Sequence, residues 1–283
     1  MFSIFSFLFP ADVWNYGKIG IGDSWNVQSV FVFIGCVLGI AATAYLCGSV
    51  NSAIILTKFI YKEDIRSKGS GNPGMTNVMR NYGWLPALIT LLGDMLKCIA
   101  GMMLGTLLFG ITGAYIGGVF GIIGHVAPIF YKFKGGKGVA STFMFILYVD
   151  SIAFAVIAVL FVLLVWATKY LSLGSVICAL AMPLILNNLE KEMPFHGYFA
   201  IIRLLFSFVI AGIVVYKHRA NISRIMDKTE NKFSFKKTKR KSESELIREA
   251  EIAEVSEEIE EELTPEVLAR KERNRKKSAK KKK

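Results

Sequence analysis

Residues 84–130 read WLPALITLLGDMLKCIAGMMLGTLLFGITGAYIGGVFGIIGHVAPIF, a stretch whose only formal charges are Asp94 and Lys97. A hydrocarbon core of roughly 30 Å takes about 20 residues of α-helix, so this stretch is long enough to cross twice. It reads as one span over 84–109 and a second returning over 112–130. Similar runs occupy 27–47 and 198–216. The chain of 283 residues is 53% hydrophobic, with a mean hydropathy of +0.45. A soluble core has no use for so many long uncharged runs, so the expected class is an all-α integral membrane protein.

Lysines and arginines between the runs set the orientation. Lys58, Lys62, Arg66, Lys68 and Arg80 follow the first run, and Lys132, Lys134 and Lys137 follow the return of the third. Both loops belong on the cytoplasmic side, which puts the N-terminus outside. Residues 139–168 are long for one span and short for two, and Asp150-Ser151 in their middle looks like a turn. A hairpin of 138–149 and 151–168, the first short or re-entrant, keeps every later basic segment inside. With 171–187 and 198–216 the expectation is about seven transmembrane helices and a cytoplasmic C-terminus.

The net charge is +12, of which residues 217–283 carry +7, from 21 Lys+Arg against 14 Asp+Glu. Three parts follow: an N-terminal interfacial segment, 1–26; a membrane domain, 27–232; and a charged tail, 233–283, partly helical or disordered. A Lys-rich tail on a membrane core is expected to touch anionic lipid or to stay solvated, with no nucleic acid expected. Cys36, Cys47, Cys98 and Cys178 form no CxxC pair, so no metal or redox dithiol is expected.

Three polar clusters break the apolar background, and the expected topology puts all three on one face. The first is KGSGNPGMTNVMR, residues 68–80. Gly69, Gly71 and Gly74 suit close backbone approach and positive φ. Ser70, Asn72, Thr76 and Asn77 offer neutral donors and Arg80 a planar cation, an inventory for holding phosphate. A turn-rich loop between spans is the plain alternative. The second is GHVAPIFYKFKGGKGVAST, residues 124–142. Gly135, Gly136, Lys137 and Gly138 open a helix whose free N–H groups favour an anion, with Lys134 adding charge. It is not a Walker A loop: Gly138 stands where Ser or Thr is needed, and Tyr131 where the first glycine is needed. His125 is either a structural hydrogen-bonder or a base. The third cluster joins His218, Asn221, Arg224 and Glu230 just past the last span. Asp94 and Lys97, one turn apart inside a span, are either functional or a structural pair.

With these clusters in this order, the sequence resembles the bacterial acyl-phosphate:glycerol-3-phosphate acyltransferases. The marks are GSVNSAIILTK (48–58), IRSKGSGNPGMTNVMR (65–80), LLGDMLK (91–97), GHVAPIFYKFKGGKGVAST (124–142), SLGSV (172–176) and HRANISRIMDKTENK (218–232). The family usually has Ala at Met75, Gly at Cys98, Phe at Ala127 and Gly at Lys228, the last bearing on the turn before Glu230. The resemblance implies a seven-helix enzyme of the bacterial cell membrane, with its site open to the cytoplasm. It would move a fatty acyl group from acyl phosphate to the 1-hydroxyl of glycerol 3-phosphate, giving lysophosphatidic acid and phosphate without a cofactor. It assigns Ser70, Arg80, Lys137, His218 and Asn221 to glycerol 3-phosphate. Asn72, Thr76 and the Gly135–Gly138 loop go to the second phosphate, with Asn77, Lys134, His125 and Glu230 supporting.

Two other readings bear comparison. Acyl-CoA acyltransferases carry His and Asp five positions apart, but that offset from His125, His196 and His218 falls on Phe130, Ile201 and Ser223. A transporter of a phosphate-bearing solute also uses broken helices, but places its site at the midplane between related halves. Here the clusters sit at span ends and the halves do not match.

Overall fold

The computed structural model describes residues 3, 5–8, 13, 27–189, 198–233 and 255, and all regular structure among them is helical. The chain divides into two units, Met1–Lys237 and Thr238–Lys283. Only Val255 of the second is described, so the reading of the tail lies outside the described residues. The helices are α1 (Val27–Ser49), α2 (Ser52–Ile60), α3 (Met75–Tyr82), α4 (Trp84–Leu96) and α5 (Ile99–Val126), then α6 (Val139–Val149), α7 (Ser151–Thr168), α8 (Leu171–Leu189), α9 (Tyr198–Lys217) and α10 (Arg219–Met226).

Four helical stretches are long and apolar enough to cross a membrane, or five if the bent pair α9–α10 is taken as one span. One of them, Trp84–Tyr131, doubles back within itself. Phe109 (φ −132, ψ 25) and Gly110 (φ 58, ψ −148) leave the helical region inside α5, and that Gly110 conformation is essentially restricted to glycine. A Cβ added at Gly105 would lie 2.0 Å from the Gly113 carbonyl oxygen, and one at Gly117 2.3 Å from that of Gly101. Eight residues of straight helix would hold such atoms about 12 Å apart. The reversal expected between 109 and 112 is therefore found, and its two arms touch backbone to backbone.

α1 lies along α5 in the most extensive helix contact among the described residues. A Cβ at Gly48 would fall 2.1 Å from Gly121 O, one at Gly124 2.3 Å from Tyr45 O, and one at Gly101 2.3 Å from Ala44 Cβ. In lipid no hydrophobic force pushes helices together, so close backbone packing has to hold them. The outer faces carry exposed Phe31, Leu38, Val162 and Trp166, apolar surface that suits hydrocarbon rather than water.

The hairpin expected around residue 150 is present as α6 and α7. Asp150, extended at φ −151 and ψ 112, accepts hydrogen bonds from Ile152 N and Ala153 N and so starts α7. α6 has 11 residues, about 16 Å at the helical rise, half of what a full crossing needs. Its far end is closed by the N-terminal segment: Ser3 Oγ donates to Tyr148 O, and Phe5 stacks on the Tyr148 ring at 4.9 Å. Most of residues 1–26 lie outside the described residues. A helix ending in an apolar interior leaves carbonyls that need donors, and Ser3 supplies one.

The tight hairpin gives a paired test. Gly113→Ala is expected to destabilise the protein by about 1–3 kcal/mol through overpacking. Gly35→Ala meets nothing within 4 Å and should be neutral or gain up to about 1 kcal/mol in helix propensity. Thermal unfolding in detergent separates the two.

Candidate active site

The three clusters come together at the end of the bundle where α6, α8 and α10 begin. Lys137 Nζ donates to Asn221 Oδ1 at 2.6 Å, and Asn221 Nδ2 donates to Glu230 Oε1 at 2.6 Å. Ser172 Oγ donates to the same carboxylate oxygen at 2.8 Å, and Arg224 Nε to Oε2 at 2.8 Å. One carboxylate thus fixes which way the Asn221 amide faces, leaving its oxygen to Lys137. Burial pushes the Glu230 carboxyl up, but hydrogen bonds from Asn221, Ser172 and Arg224 outweigh it and hold the carboxyl below its usual value.

Arg80 and Lys137 are the cations of this cluster left without a carboxylate partner. Arg80, in the last turn of α3, has no hydrogen bond to any described residue; burial pulls its pKa down, Glu230 opposes this and Arg224 adds to it. Burial is also the main reason the Lys137 ammonium falls to about 8; Glu230 opposes it, while Arg224, Arg80 and Lys217 reinforce it. Two partly buried cations competing for one shared acid make a site that favours an added anion. Lys137 also stands just before α6, whose first-turn N–H groups point out of the helix end. Gly138, at φ 83, makes that entry in the left-handed region. His218 is buried, and its Nδ1 lies 2.8 Å from Val214 O. A carbonyl only accepts, so Nδ1 carries the proton and the neutral ring keeps Nε2 free to take another.

One helical turn deeper lies a narrow apolar cleft, with about 10 Å³ of free volume, lined by Val139, Phe143, Ile157, Cys178 and Val214. Thr142 Oγ1 also faces it, buried and without a hydrogen-bond partner among the described residues. Its lining residues Val139, Ser175 and Val214 each lie two to four residues from Lys137, Ser172 and His218, which puts the cleft next to the polar site.

Several residues picked from sequence have other roles. Asn77, read as a phosphate ligand, is buried and fully engaged: Nδ2 donates to Ile65 O and Lys68 O, and Oδ1 accepts from Ser70 N and Asn81 Nδ2. It shapes the 68–80 loop from within. In that loop Gly69 (φ 54) and Gly71 (φ 69) take the expected positive φ, whereas Gly74, at φ −156, is ordinary extended backbone. Gly136 has no positive φ; its missing side chain makes room for His125, whose Nε2 would lie 2.1 Å from an added Cβ. Gly135 likewise abuts His125 O and Pro128. His125 itself is buried, with Nδ1 2.8 Å from Lys97 Nζ, which places it in the scaffold rather than against substrate. Lys134 is exposed. Ser70, Asn72 and Thr76 keep side chains with no hydrogen bond to described residues.

Ser172 and Arg224 were missed as individual residues. The SLGSV motif was the only signal for the first, and the third cluster had named the second without a role. Lys228, where the resembling family has glycine, takes φ 58. The turn survives the substitution, with Thr229 N and Glu230 N both donating to Arg224 O.

Comparison with known proteins agrees with this geometry. The family model for glycerol-3-phosphate acyltransferase matches residues 38–228. The chain belongs to that family. A glycerol-3-phosphate acyltransferase of Carboxydothermus hydrogenoformans is 40% identical over 204 residues, covering 70% of this chain and 96% of that protein. One from Finegoldia magna is 36% identical over 198 residues, covering 69% and 94%. Among solved structures, PlsY (YgiH), an integral membrane glycerol 3-phosphate acyltransferase in its glycerol 3-phosphate form, is similar with a TM-score of 0.64 and 28% identity, over 70% of this chain and 96% of that one. Its lysophosphatidic acid form gives 0.62 and 27% over the same shares. The chain is thus a multi-pass membrane protein of this fold.

The Lys137 environment sets a pH dependence. The ammonium is charged below about 8 and neutral above it, so binding of a phosphate ester should weaken as pH rises through that value. Titration calorimetry from pH 6.5 to 9.5 should show the loss in the wild type. Lys137→Arg, whose charge persists, should show none of it.

Proposed function

We propose that this chain transfers a fatty acyl group from acyl phosphate to the 1-hydroxyl of glycerol 3-phosphate, yielding lysophosphatidic acid and phosphate. The observation that carries the reading is the pair Arg80 and Lys137, partly buried and short of carboxylate, beside an apolar cleft. One substrate is a phosphate ester; the other carries phosphate at one end and an alkyl chain at the other. The cations and the α6 N-terminus suit the phosphates, and the cleft suits the first carbons of the chain. The 68–80 loop adds Ser70, Asn72 and Thr76 as neutral donors.

An acyl phosphate is a mixed anhydride and already activated, so positioning and charge neutralisation supply most of the catalysis. The substrate hydroxyl oxygen attacks the acyl carbon, the carbon–oxygen bond to phosphate breaks, and the ester forms. The hydroxyl proton passes to a departing phosphate oxygen or to His218 Nε2. No covalent enzyme intermediate is required. A transporter reading has less support, because the cations gather at one end of the bundle rather than at its middle.

The accompanying topology is seven membrane elements, with α6 as a half-length re-entrant one, the N-terminus outside and the site facing the cytoplasm of a bacterial cell. The basic loops 58–80 and 132–137 support that orientation. Residues 27–232 form the catalytic domain. The tail, 233–283, tunes contact with anionic lipid.

Purified protein should acylate glycerol 3-phosphate from palmitoyl phosphate, and not from palmitoyl-CoA or acyl-carrier protein. Activity with only the latter two would end the acyl-phosphate reading. Arg80→Ala should cost about 2–4 kcal/mol in kcat/KM, as a buried phosphate loses its charge-assisted partner. Removing residues 236–283 should leave turnover in neutral detergent intact, since the family match stops at residue 228. A folded but inactive truncation would assign the tail to the active site instead.

A further inference from the structure

Lys97 is the most completely engaged cation among the described residues, and it touches no part of the substrate site. Its ammonium donates to Val50 O at 2.6 Å, Asp94 Oδ1 at 2.9 Å and His125 Nδ1 at 2.8 Å. Three acceptors meet three protons. Asp94 Oδ1 is 3.6 Å from His125 Nδ1, beyond hydrogen-bond reach, so Lys97 is the partner of that ring. The side chains of Lys97 and Asp94 are 7% and 2% exposed.

Two of these contacts lead to the two site loops. Val50 precedes Asn51, whose Nδ2 donates to Pro73 O at 3.3 Å in the loop that leads into α3, the helix carrying Arg80. His125 accepts a hydrogen bond on its backbone oxygen from Gly136 N at 3.1 Å, and its ring edge lies against Gly136. Gly136 adjoins Lys137. One buried ammonium therefore stands between the loop leading into the Arg80 helix and the loop carrying Lys137, within a single peptide or a single hydrogen bond of each anchor.

We propose that Lys97 is a positioning residue that sets the distance between the two loops, so that Arg80 and Lys137 reach the same phosphate-bearing substrate. The inference rests on the glycerol 3-phosphate reading above. An ammonium directs three protons tetrahedrally, whereas a guanidinium holds its donors in one plane and cannot meet the same three acceptors. Lys97→Arg keeps the charge beside Asp94 but loses the geometry.

The test uses the full chain in detergent, with glycerol 3-phosphate, palmitoyl phosphate and a thermal unfolding control. Lys97→Arg and His125→Leu should each lower kcat/KM about ten-fold, the worth of one lost hydrogen bond to a charged group, and mainly through KM for glycerol 3-phosphate. His125→Asn, whose amide oxygen still accepts from Lys97, should recover most of that loss. The double variant Lys97→Arg/His125→Leu should be no worse than either single one, because both release the same loop. A folded Lys97→Arg enzyme with unchanged KM overturns the inference. So does a set of variants that differ only in melting temperature. If Lys97→Arg does not fold, the Leu and Asn variants of His125 decide, equal KM values in the two counting against the proposal. Wild-type protein that fails to acylate glycerol 3-phosphate would overturn the functional reading itself, a result distinct from active wild type with unaltered variants.

Discussion

Contact of backbone with backbone, without side chains between, is the constraint on which this molecule depends. Gly105 against Gly113, Gly101 against Gly117 and Ala44, and Gly48 against Gly121 leave no room for one further carbon atom. Inside hydrocarbon the usual gain from burying apolar side chains is absent, and dispersion between closely fitted surfaces replaces it. The consequence reaches the polar end. Because α1 and both arms of α5 lie so close, Val50, Lys97 and His125 meet at one point. The loops that follow α1 and α5 leave the bundle side by side.

Those loops deliver more positive charge than the fold can neutralise. Glu230 is bonded by Asn221, Ser172 and Arg224 and makes no hydrogen bond to Arg80 or Lys137. Such an arrangement costs stability in the free protein, since burying charge without a partner is unfavourable. The same deficit becomes binding energy when a dianion enters. The scaffold pair Asp94–Lys97 is the opposite case: every proton and the near carboxylate oxygen are matched, as a group with no ligand to wait for should be.

The positions of the long apolar helices were legible because they follow from the length of uncharged runs alone. The breaks at 109–110 and at Asp150 were also visible, through total length in one case and a turn dipeptide in the other. What sequence could not separate were two uses of the same residue type. Gly136 and Gly138 sit in one motif, yet only Gly138 needs its positive φ, while Gly136 makes way for an imidazole eleven residues earlier in the chain. Asn77 and Asn221 are both amides in polar clusters, but one braces a loop and the other faces Lys137. Such distinctions depend on which side chains converge in space. For Asn77 the deciding partners, Ile65 and Lys68, are backbone carbonyls that leave no mark in a sequence.

The half-length helix α6 has a practical corollary. Its C-terminal end relies on Ser3 and Phe5 to satisfy and cover Tyr148. A bulky affinity tag fused directly ahead of them would have to find space where those two side chains turn inward. The carboxyl end, more than fifty residues beyond the matched region, is the side on which to place a purification handle or a fluorescent label.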